Sequence, residues 1–190
     1  MGTLNLTFDD GPDPRGTPQV LDALAAAGAH ATFFVLGSRA AAHPELVERV
    51  LAEGHAVGLH GHEHLRHPGL SRAVGEADTD RALGVLGALG VEPSRWRTPW
   101  GEEAEWTREV ATERGLDLVH WDADTHDWRG DPAPAMLAAV APRLRDGAIV
   151  LAHDGLGPGA LRDDCDETAA LIGPLVAAAR QLGLEPRALT

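Results

Sequence analysis

The feature that most constrains the fold is the alternation of short apolar runs with helical patterns along the whole chain. Runs typical of strands, rich in β-branched, aromatic and other apolar residues, occupy residues 4–8, 31–35, 55–59, 116–121 and 148–152. Two further short strands are predicted to end near Arg97 and to span residues 184–189. Strands that alternate with helices form a parallel sheet with helical crossovers. We therefore expect an α/β fold in which residues 1–190 form a single domain, a small distorted (β/α) barrel of about seven strands, with an open doubly wound sheet as the alternative.

The segments between the strands carry helix boundaries as well as helical spacing. Thr17 and Ser71 are predicted N-caps, Pro44 fits a first helical turn, and glycines stand where several helices should end. The predicted helices lie at about residues 17–27, 44–51, 71–89, 103–114, 136–144 and 168–182.

The charge of the chain excludes several classes of partner. With 190 residues and a formal net charge of −13, its surface has the wrong sign for nucleic acid and for anionic membranes. No apolar run reaches the length of a membrane span. Cys165 is the only cysteine, so no intrachain disulfide forms, and its acidic neighbours predict an unreactive, unpaired thiol. No signal peptide precedes the first strand, which predicts a cytoplasmic protein or a secreted one whose targeting segment has been removed.

Polar side chains stand where the apolar strands end. These residues are Asp9, Asp10, His60, Arg97, Asp124, Asp127 and His153. In parallel β/α folds the carboxyl ends of the strands share one face, which carries the active site. We therefore expect residues spread over most of the sequence to meet at one site.

A metal site is the first hypothesis for this face. His60 and His64 are four residues apart, so two imidazoles on one turn or tight loop can bind one ion, and Asp10 would add an oxygen ligand. Two histidines and one carboxylate leave open coordination positions, as in a catalytic site. The alternative is a solvated histidine-rich loop. His62 should point elsewhere, and a His64–His67 pair is a weaker choice of ligands.

Acid–base chemistry is the second hypothesis. Asp9 is placed to take a proton from water activated by the metal, and Arg97 would pair with it and keep it charged. His153 is placed to protonate a leaving amine, with Asp127 orienting its ring. The alternatives are a polar turn for "DDGP" and an ordinary polar strand end for His153.

Tryptophans supply the aromatic surface, since the chain has no tyrosine. Trp100 and Trp128 are predicted at the rim of the site, where indole faces would stack on a sugar ring, and Trp121 is predicted in the core. The backbone N–H of Trp100, in the turn made by Pro99 and Gly101, would help to hold an oxyanion.

These segments together resemble the polysaccharide deacetylases, the NodB-homology carbohydrate esterases of family four. Five motifs match in chain order, and the resemblance covers nearly the whole chain. They are TFDDGP at residues 7–12, H-x-x-x-H at His60 and His64, RTPWG at 97–101, DTHDW at 124–128 and IVLAHDG at 149–155. One departure is Gly61, where the family usually has Ser or Thr.

The resemblance implies a distorted barrel of about seven strands and one divalent metal on Asp10, His60 and His64. The metal is usually zinc, with Co²⁺ or Ni²⁺ as alternatives. The implied reaction removes acetyl from an N-acetylated sugar, so a carbohydrate is the implied partner.

The resemblance also assigns the acid–base roles. It implies that Asp9 is the base and His153 the acid, supported by Arg97 and Asp127 respectively.

Several other functions fit the same residues. Ester deacetylation of acetylxylan would use the same attack by water, and a small cytosolic N-acetyl sugar conjugate would suit a chain without an export signal. An Asp-His-His iron oxygenase leaves Asp9 and His153 without a role. An inactive sugar-binding domain would be expected to have lost one of these residues. The loop 154–167 borders His153 and is predicted to influence substrate choice.

Overall fold

The structure, a computed structural model, describes residues 1–189. Its framework is one sheet of parallel strands. The strands are β1 (Gly2–Asp9), β2 (Thr32–Leu36), β3 (Ala56–Gly61), β4 (Arg95–Trp96), β5 (Asp117–Leu118), β6 (Ala123–Asp124), β7 (Ile149–His153) and β8 (Leu184–Arg187). Leu4, Leu6 and Phe8 of β1 enter the core, while Thr7 and Asp9 on its other face are also buried. Burial on both faces is typical of a central strand in a parallel sheet.

The strand order brings the two ends of the chain together around β1. Seven strands follow the hydrogen-bonded path β5-β4-β3-β2-β1-β7-β6, and β8 pairs with the first half of β1. Asp9 lies opposite Phe34 of β2 on one side and His153 of β7 on the other. Within residues 1–189 no strand pairing joins β5 to β6, so the sheet is a curled half-barrel. The distorted seven-stranded barrel predicted from the sequence is confirmed.

Helices cover the outside of the sheet. They are α1 (Gly16–Ala27), α2 (Gly37–Ala42), α3 (Pro44–Ala52), α4 (Arg72–Ala88), α5 (Thr107–Glu113), α6 (Ala133–Val140) and α7 (Asp166–Gln181). Ser71 caps α4 as predicted, its side chain accepting a hydrogen bond from Val74 N–H at 3.4 Å. Among residues 1–189 no helix is both long and apolar enough to cross a membrane.

Two local predictions differ from the structure, and one helix was missed. Thr17 is not the N-cap of α1, because Asp13 Oδ1 accepts the N–H groups of Arg15 and Gly16 at the start of that helix. The strand expected at 116–121 is reduced to β5, because the carbonyls of Val119 and His120 turn toward the Arg97 guanidinium. The helix α2 was not predicted at all.

A close approach between α4 and α5 depends on one glycine. A Cβ on Gly75 would lie 2.0 Å from the Cη2 atom of Trp106, so only the bare backbone of α4 fits under this indole ring. Trp106 in turn donates its ring N–H to the carbonyl of Leu70 at 3.1 Å. This contact holds α5 beside α4 near the strand ends that carry the site.

Candidate active site

The predicted site residues meet at one cavity of about 280 Å³ at the carboxyl end of the strands. The cavity lies where β1, β3 and β7 end, next to the turn after β4. Its lining includes Asp9, Asp10, His60, His64, Trp100, Trp121, Trp128 and His153. Arg97 and Asp127 lie behind this lining and are fully buried.

Three side chains form a group that fits a cation, which we call the Asp-His-His group: Asp10, His60 and His64. One ligand atom from each lies within 4.8 Å of the others. The Nε2 atoms of His60 and His64 are 3.3 and 3.2 Å from Oδ1 of Asp10. Among the described residues this buried Oδ1 atom has no hydrogen-bond partner. Although burial favours the neutral acid, the two imidazoles hold the pKa of Asp10 well below its usual value.

The ring of His60 is oriented by the backbone of the residue that follows β4. Its Nδ1 atom is 2.7 Å from the carbonyl oxygen of Arg97, a distance at which Nδ1–H donates to that oxygen. The Nε2 lone pair of His60 then faces Asp10. A histidine fixed in this way through its other nitrogen is typical of metal ligands. A carboxylate oxygen and two imidazole nitrogens that converge in this way fit a divalent cation.

The loop that carries His64 has its own support. Gly61 has a φ of 109°, a backbone conformation that side chains rarely adopt, so the Ser or Thr of the family motif would be strained in this loop. The carboxylate of Asp78 accepts the N–H groups of His62 and Glu63 at 2.8 and 2.9 Å. The loop is thus fixed from α4.

The other histidines of this region lie away from the Asp-His-His group. His62 is buried against Gly37, as expected for a residue pointing elsewhere. The Nδ1 atom of His67 is 3.0 Å from Thr107 Oγ1, and its ring packs on Trp96 and Trp106. The alternative His64–His67 pair is therefore not formed.

Asp9 forms a buried ion pair with Arg97. The Nη1 atom of Arg97 donates to Asp9 Oδ1 at 2.8 Å and to Thr7 Oγ1 at 2.8 Å. The same guanidinium is held by the carbonyls of Val119 and His120 and lies 4.3 Å from the ring centre of Phe34. Asp9 is therefore fixed at the cavity by a cation that does not reach the cavity itself.

His153 forms the opposite pair with Asp127. Its Nδ1 atom is 2.7 Å from Asp127 Oδ1, and its backbone N–H donates to Oδ2 at 2.9 Å. Burial disfavours both charged forms, but the attraction between them outweighs it. The pKa of His153 is raised to about 9, and that of Asp127 is lowered to about 2. His153 therefore presents a protonated Nε2 side to the cavity at neutral pH.

Aromatic rings form the walls of the cavity. Trp100 is 43% exposed and its ring centre lies 4.1 Å from that of His64. Trp121 follows β5 rather than lying within it, and it lines the cavity next to Gly101. The core position predicted for Trp121 is therefore wrong. Trp128 lines the cavity as expected, whereas Pro99, the first residue of the turn, is buried and does not line it.

Two residues that the sequence did not single out complete the support of His153. Arg162 Nη2 lies 3.3 Å from Asp127 Oδ2 and donates to the carbonyl of His153 at 3.0 Å. Thr168 donates its hydroxyl to Asp127 Oδ2 at 2.8 Å, and Arg162 also bonds to this hydroxyl. Nothing in the spacing of the acidic segment around Arg162 distinguishes it from a surface loop.

The loop between β7 and α7, residues 154–165, is called here the cavity loop. Gly155, Gly157 and Arg162 in it line the cavity, in agreement with its predicted place beside His153. A Cβ on Gly157 would lie 2.2 Å from Asp10 Oδ2, so the loop packs directly on the Asp-His-His group.

Asp154, at the start of the cavity loop, was also not anticipated. It is fully buried; its Oδ2 accepts the hydroxyl of Thr17 at 2.5 Å, and its Oδ1 has no partner among residues 1–189. Burial raises the pKa of Asp154 to about 7, and the nearby charges of Asp10 and Asp9 add to the effect. Cys165 is likewise buried, and burial raises the pKa of its thiol to about 12.

Comparison with known proteins agrees with the geometry. The sequence matches the family described as polysaccharide deacetylase over residues 2–119. It is 40% identical over 172 residues to the chitooligosaccharide deacetylase of Bradyrhizobium sp. (strain ANU 289), covering 86% of this chain and 76% of that protein. It is 40% identical over 153 residues to a peptidoglycan-N-acetylglucosamine deacetylase of Listeria monocytogenes serotype 1/2a (strain 10403S), covering 78% of this chain and 32% of that protein.

A solved structure shows the same fold. The family 4 carbohydrate esterase from Streptomyces lividans in complex with acetate superimposes with a TM-score of 0.88 at 32% identity, covering 97% of this chain and 91% of that one. The chain therefore belongs to the polysaccharide deacetylase family, and it is a hydrolase of that type. This confirms the resemblance carried by the five motifs.

Proposed function

We propose that this protein is a metal-dependent deacetylase that removes N-acetyl groups from an amino sugar in a chitooligosaccharide or peptidoglycan type of polymer. One observation carries the proposal. A single cavity brings the Asp-His-His group between two ion pairs, with Asp9 held by Arg97 and His153 held by Asp127. A base and an acid placed around a cation are what hydrolysis of an amide requires.

Asp10, His60 and His64 would hold the ion in this proposal. Two imidazoles and one carboxylate suit zinc, and Co²⁺ or Ni²⁺ would fit the same donors. When bound, such a cation supplies Lewis acidity, which lowers the pKa of a water molecule and polarises the acetamide carbonyl.

Asp9 is the proposed general base. Its Oδ1 atom is held by Arg97 Nη1, so the carboxylate keeps one orientation at the cavity wall. It accepts the proton of the water that attacks the acetamide carbon. The backbone N–H of Trp100, in the turn that follows Pro99, is proposed to donate to the oxygen that becomes negative.

His153 is the proposed general acid. Asp127 accepts from its Nδ1 atom and stabilises the imidazolium, which leaves the Nε2 proton for the substrate nitrogen. When this proton is transferred, the carbon–nitrogen bond breaks, and the products are acetate and a free amine.

The aromatic walls and the relatives support a sugar polymer as substrate. Trp100, Trp121 and Trp128 give the cavity flat apolar faces that suit the faces of sugar rings. The two curated relatives described above are named for deacetylation of chitooligosaccharide and of peptidoglycan N-acetylglucosamine. N-acetylglucosamine polymers are therefore the proposed substrate class.

Release of acetate tests the proposal. Chitooligosaccharides, peptidoglycan fragments and acetylxylan are incubated with the zinc-loaded protein, alongside the Asp9→Asn and His153→Ala variants. We expect acetate from at least one N-acetylated substrate, and its loss in both variants. Acetate from acetylxylan alone would contradict N-deacetylation, and activity retained in both variants would contradict the assigned roles.

A further inference from the structure

The start of the short helix α2 touches the loops that carry the Asp-His-His group. The N–H of Leu36, at the end of β2, donates to the carbonyl of Gly11 at 2.9 Å. The N–H of Ser38 donates to the carbonyl of His62 at 3.0 Å. These two bonds tie α2 to the turn after β1 and to the loop after β3.

Arg39 extends these contacts to the cavity loop. Its Nη1 atom donates to the carbonyl of Asp10 at 2.8 Å, and its Nη2 atom donates to the carbonyl of Leu156 at 2.8 Å. The guanidinium therefore bridges the backbone of one residue of the Asp-His-His group and the backbone of the cavity loop. Arg39 itself does not line the cavity.

The cavity loop approaches this junction as closely as its backbone allows. A Cβ on Gly155 would lie 2.5 Å from Arg39 Nη1 and 2.9 Å from the carbonyl oxygen of Asp10. Asp10 also has a φ of 74°, in the left-handed region that a residue with a side chain occupies only where surrounding contacts hold it. The hydrogen bond from Arg39 to its carbonyl is one such contact.

We propose that Arg39 is a positioning residue whose guanidinium holds Asp10 and the cavity loop in one arrangement, so that metal retention and substrate binding both depend on it. The inference rests on the proposed metal-dependent function. The two terminal nitrogens of the planar guanidinium each donate to one of the two carbonyls, a preorganised fork that the single nitrogen of lysine does not reproduce. Removing a contact that orients a metal-binding residue typically changes metal affinity by about 10–100-fold.

The test measures zinc affinity and steady-state kinetics in Arg39→Ala, with Arg180→Ala as the matched control. Arg180 also donates to two backbone carbonyls, those of Ala27 and Gly28, each at 2.9 Å, but it lies on α7 away from the cavity. Zinc affinity is measured by competition with a chromophoric chelator, and kcat and KM with chitooligosaccharide at saturating zinc.

In Arg39→Ala we expect zinc affinity to fall by about 10–100-fold and KM to rise, because the cavity loop loses its anchor. Millimolar guanidinium should restore part of the zinc affinity. Arg180→Ala should keep the affinity and KM of the wild type. Arg39→Lys keeps the charge but offers its N–H donors from a single nitrogen, so it should show a smaller loss of affinity. This variant replaces the alanine variant in the test if the latter does not fold.

If the Arg39 variants kept the zinc affinity and KM of the wild type, the inference would be overturned while the proposed function would stand. An equal loss of zinc affinity in Arg180→Ala would also overturn it, because the loss would then reflect general destabilisation. Failure of the wild-type protein itself to bind zinc would remove the proposed function, and the inference with it.

Discussion

At the scale of single residues, Arg97 joins the two proposed chemical roles. Its side chain holds Asp9, while its backbone carbonyl receives Nδ1–H of His60. The carbonyl contact does not depend on the side chain, so a substitution at this position would disturb the base more directly than the metal. One proposed metal ligand, His60, and the proposed base, Asp9, are thus held by different parts of Arg97.

The proposed base can be tested separately from the metal. Asp9→Asn keeps the shape of the side chain but cannot accept a proton from water, so kcat should fall by about 10²–10⁴-fold. Zinc content should stay at the wild-type level, because Asp9 is not part of the Asp-His-His group. Acetate release and metal analysis measure both. The exposed Asp117→Asn is the control, and unchanged kcat in Asp9→Asn would reject the role.

The buried acid Asp154 predicts a pH dependence of stability. Its pKa is about 7 in the folded protein against an ordinary value of 3.8, so between these values the folded chain holds a proton that the unfolded chain has lost. The contribution of Asp154 to stability is therefore fully present below about pH 4 and is lost as the pH rises through about 7. Asparagine does not titrate.

The free energy of unfolding of Asp154→Asn, measured in urea without metal, should therefore rise relative to wild type as the pH increases from about 4 to about 7. Above that range the difference should stay constant. Asp117→Asn again supplies the comparison. A difference that does not change with pH would show that Asp154 has no shifted pKa.

At the scale of elements, α4 contains glycines with opposite requirements. A Cβ on Gly84 would meet no atom within 4 Å, whereas one on Gly75 would collide with Trp106. Gly84→Ala should therefore raise the free energy of unfolding by about 0.4–1 kcal/mol. Gly75→Ala should lower it by about 1–3 kcal/mol. Urea denaturation measures both, and a change of the same sign in the two variants would contradict this packing.

The elements also show what the sequence can and cannot predict. Asp9, Asp10, His60 and His153 were found because each stands at a strand end, and the order of strands and helices fixes which ends share a face. Arg39 was missed because its partners are backbone carbonyls in turns, and no residue pattern marks such atoms. The strand at 116–121 was predicted to be too long because its composition favours a strand. In the structure the buried Arg97 guanidinium donates to two of its carbonyls, which therefore do not pair within the sheet.

At the scale of the whole molecule, the proposed metal should stabilise the fold. Zinc bound to the folded state alone, at 100 times its Kd, adds about 2.7 kcal/mol to the free energy of unfolding. For a chain of this size, each kcal/mol of added stability raises Tm by roughly 2–4 °C. Differential scanning calorimetry with zinc and with a chelator measures the shift.

Two histidine variants complete that measurement. His64→Ala should lose most of the zinc-dependent increase in Tm, because it removes one of three proposed ligands. His43→Ala, at the start of α3, should keep it. Equal shifts in the two variants would place the zinc elsewhere.

Among the described residues no strand pairing joins β5 to β6, so the segment between these two strands is a candidate site for cutting the chain. Trp121 packs on the side of Arg97, whereas Asp122 already bonds to the N–H of Ile149 at 2.9 Å. A chain cut between Trp121 and Asp122 would leave the proposed metal ligands and the proposed base on one fragment and the proposed acid, His153, on the other. Acetate release would then report the association of the two fragments. The peptide bond between Trp121 and Asp122 is therefore a suitable split point for a reporter enzyme.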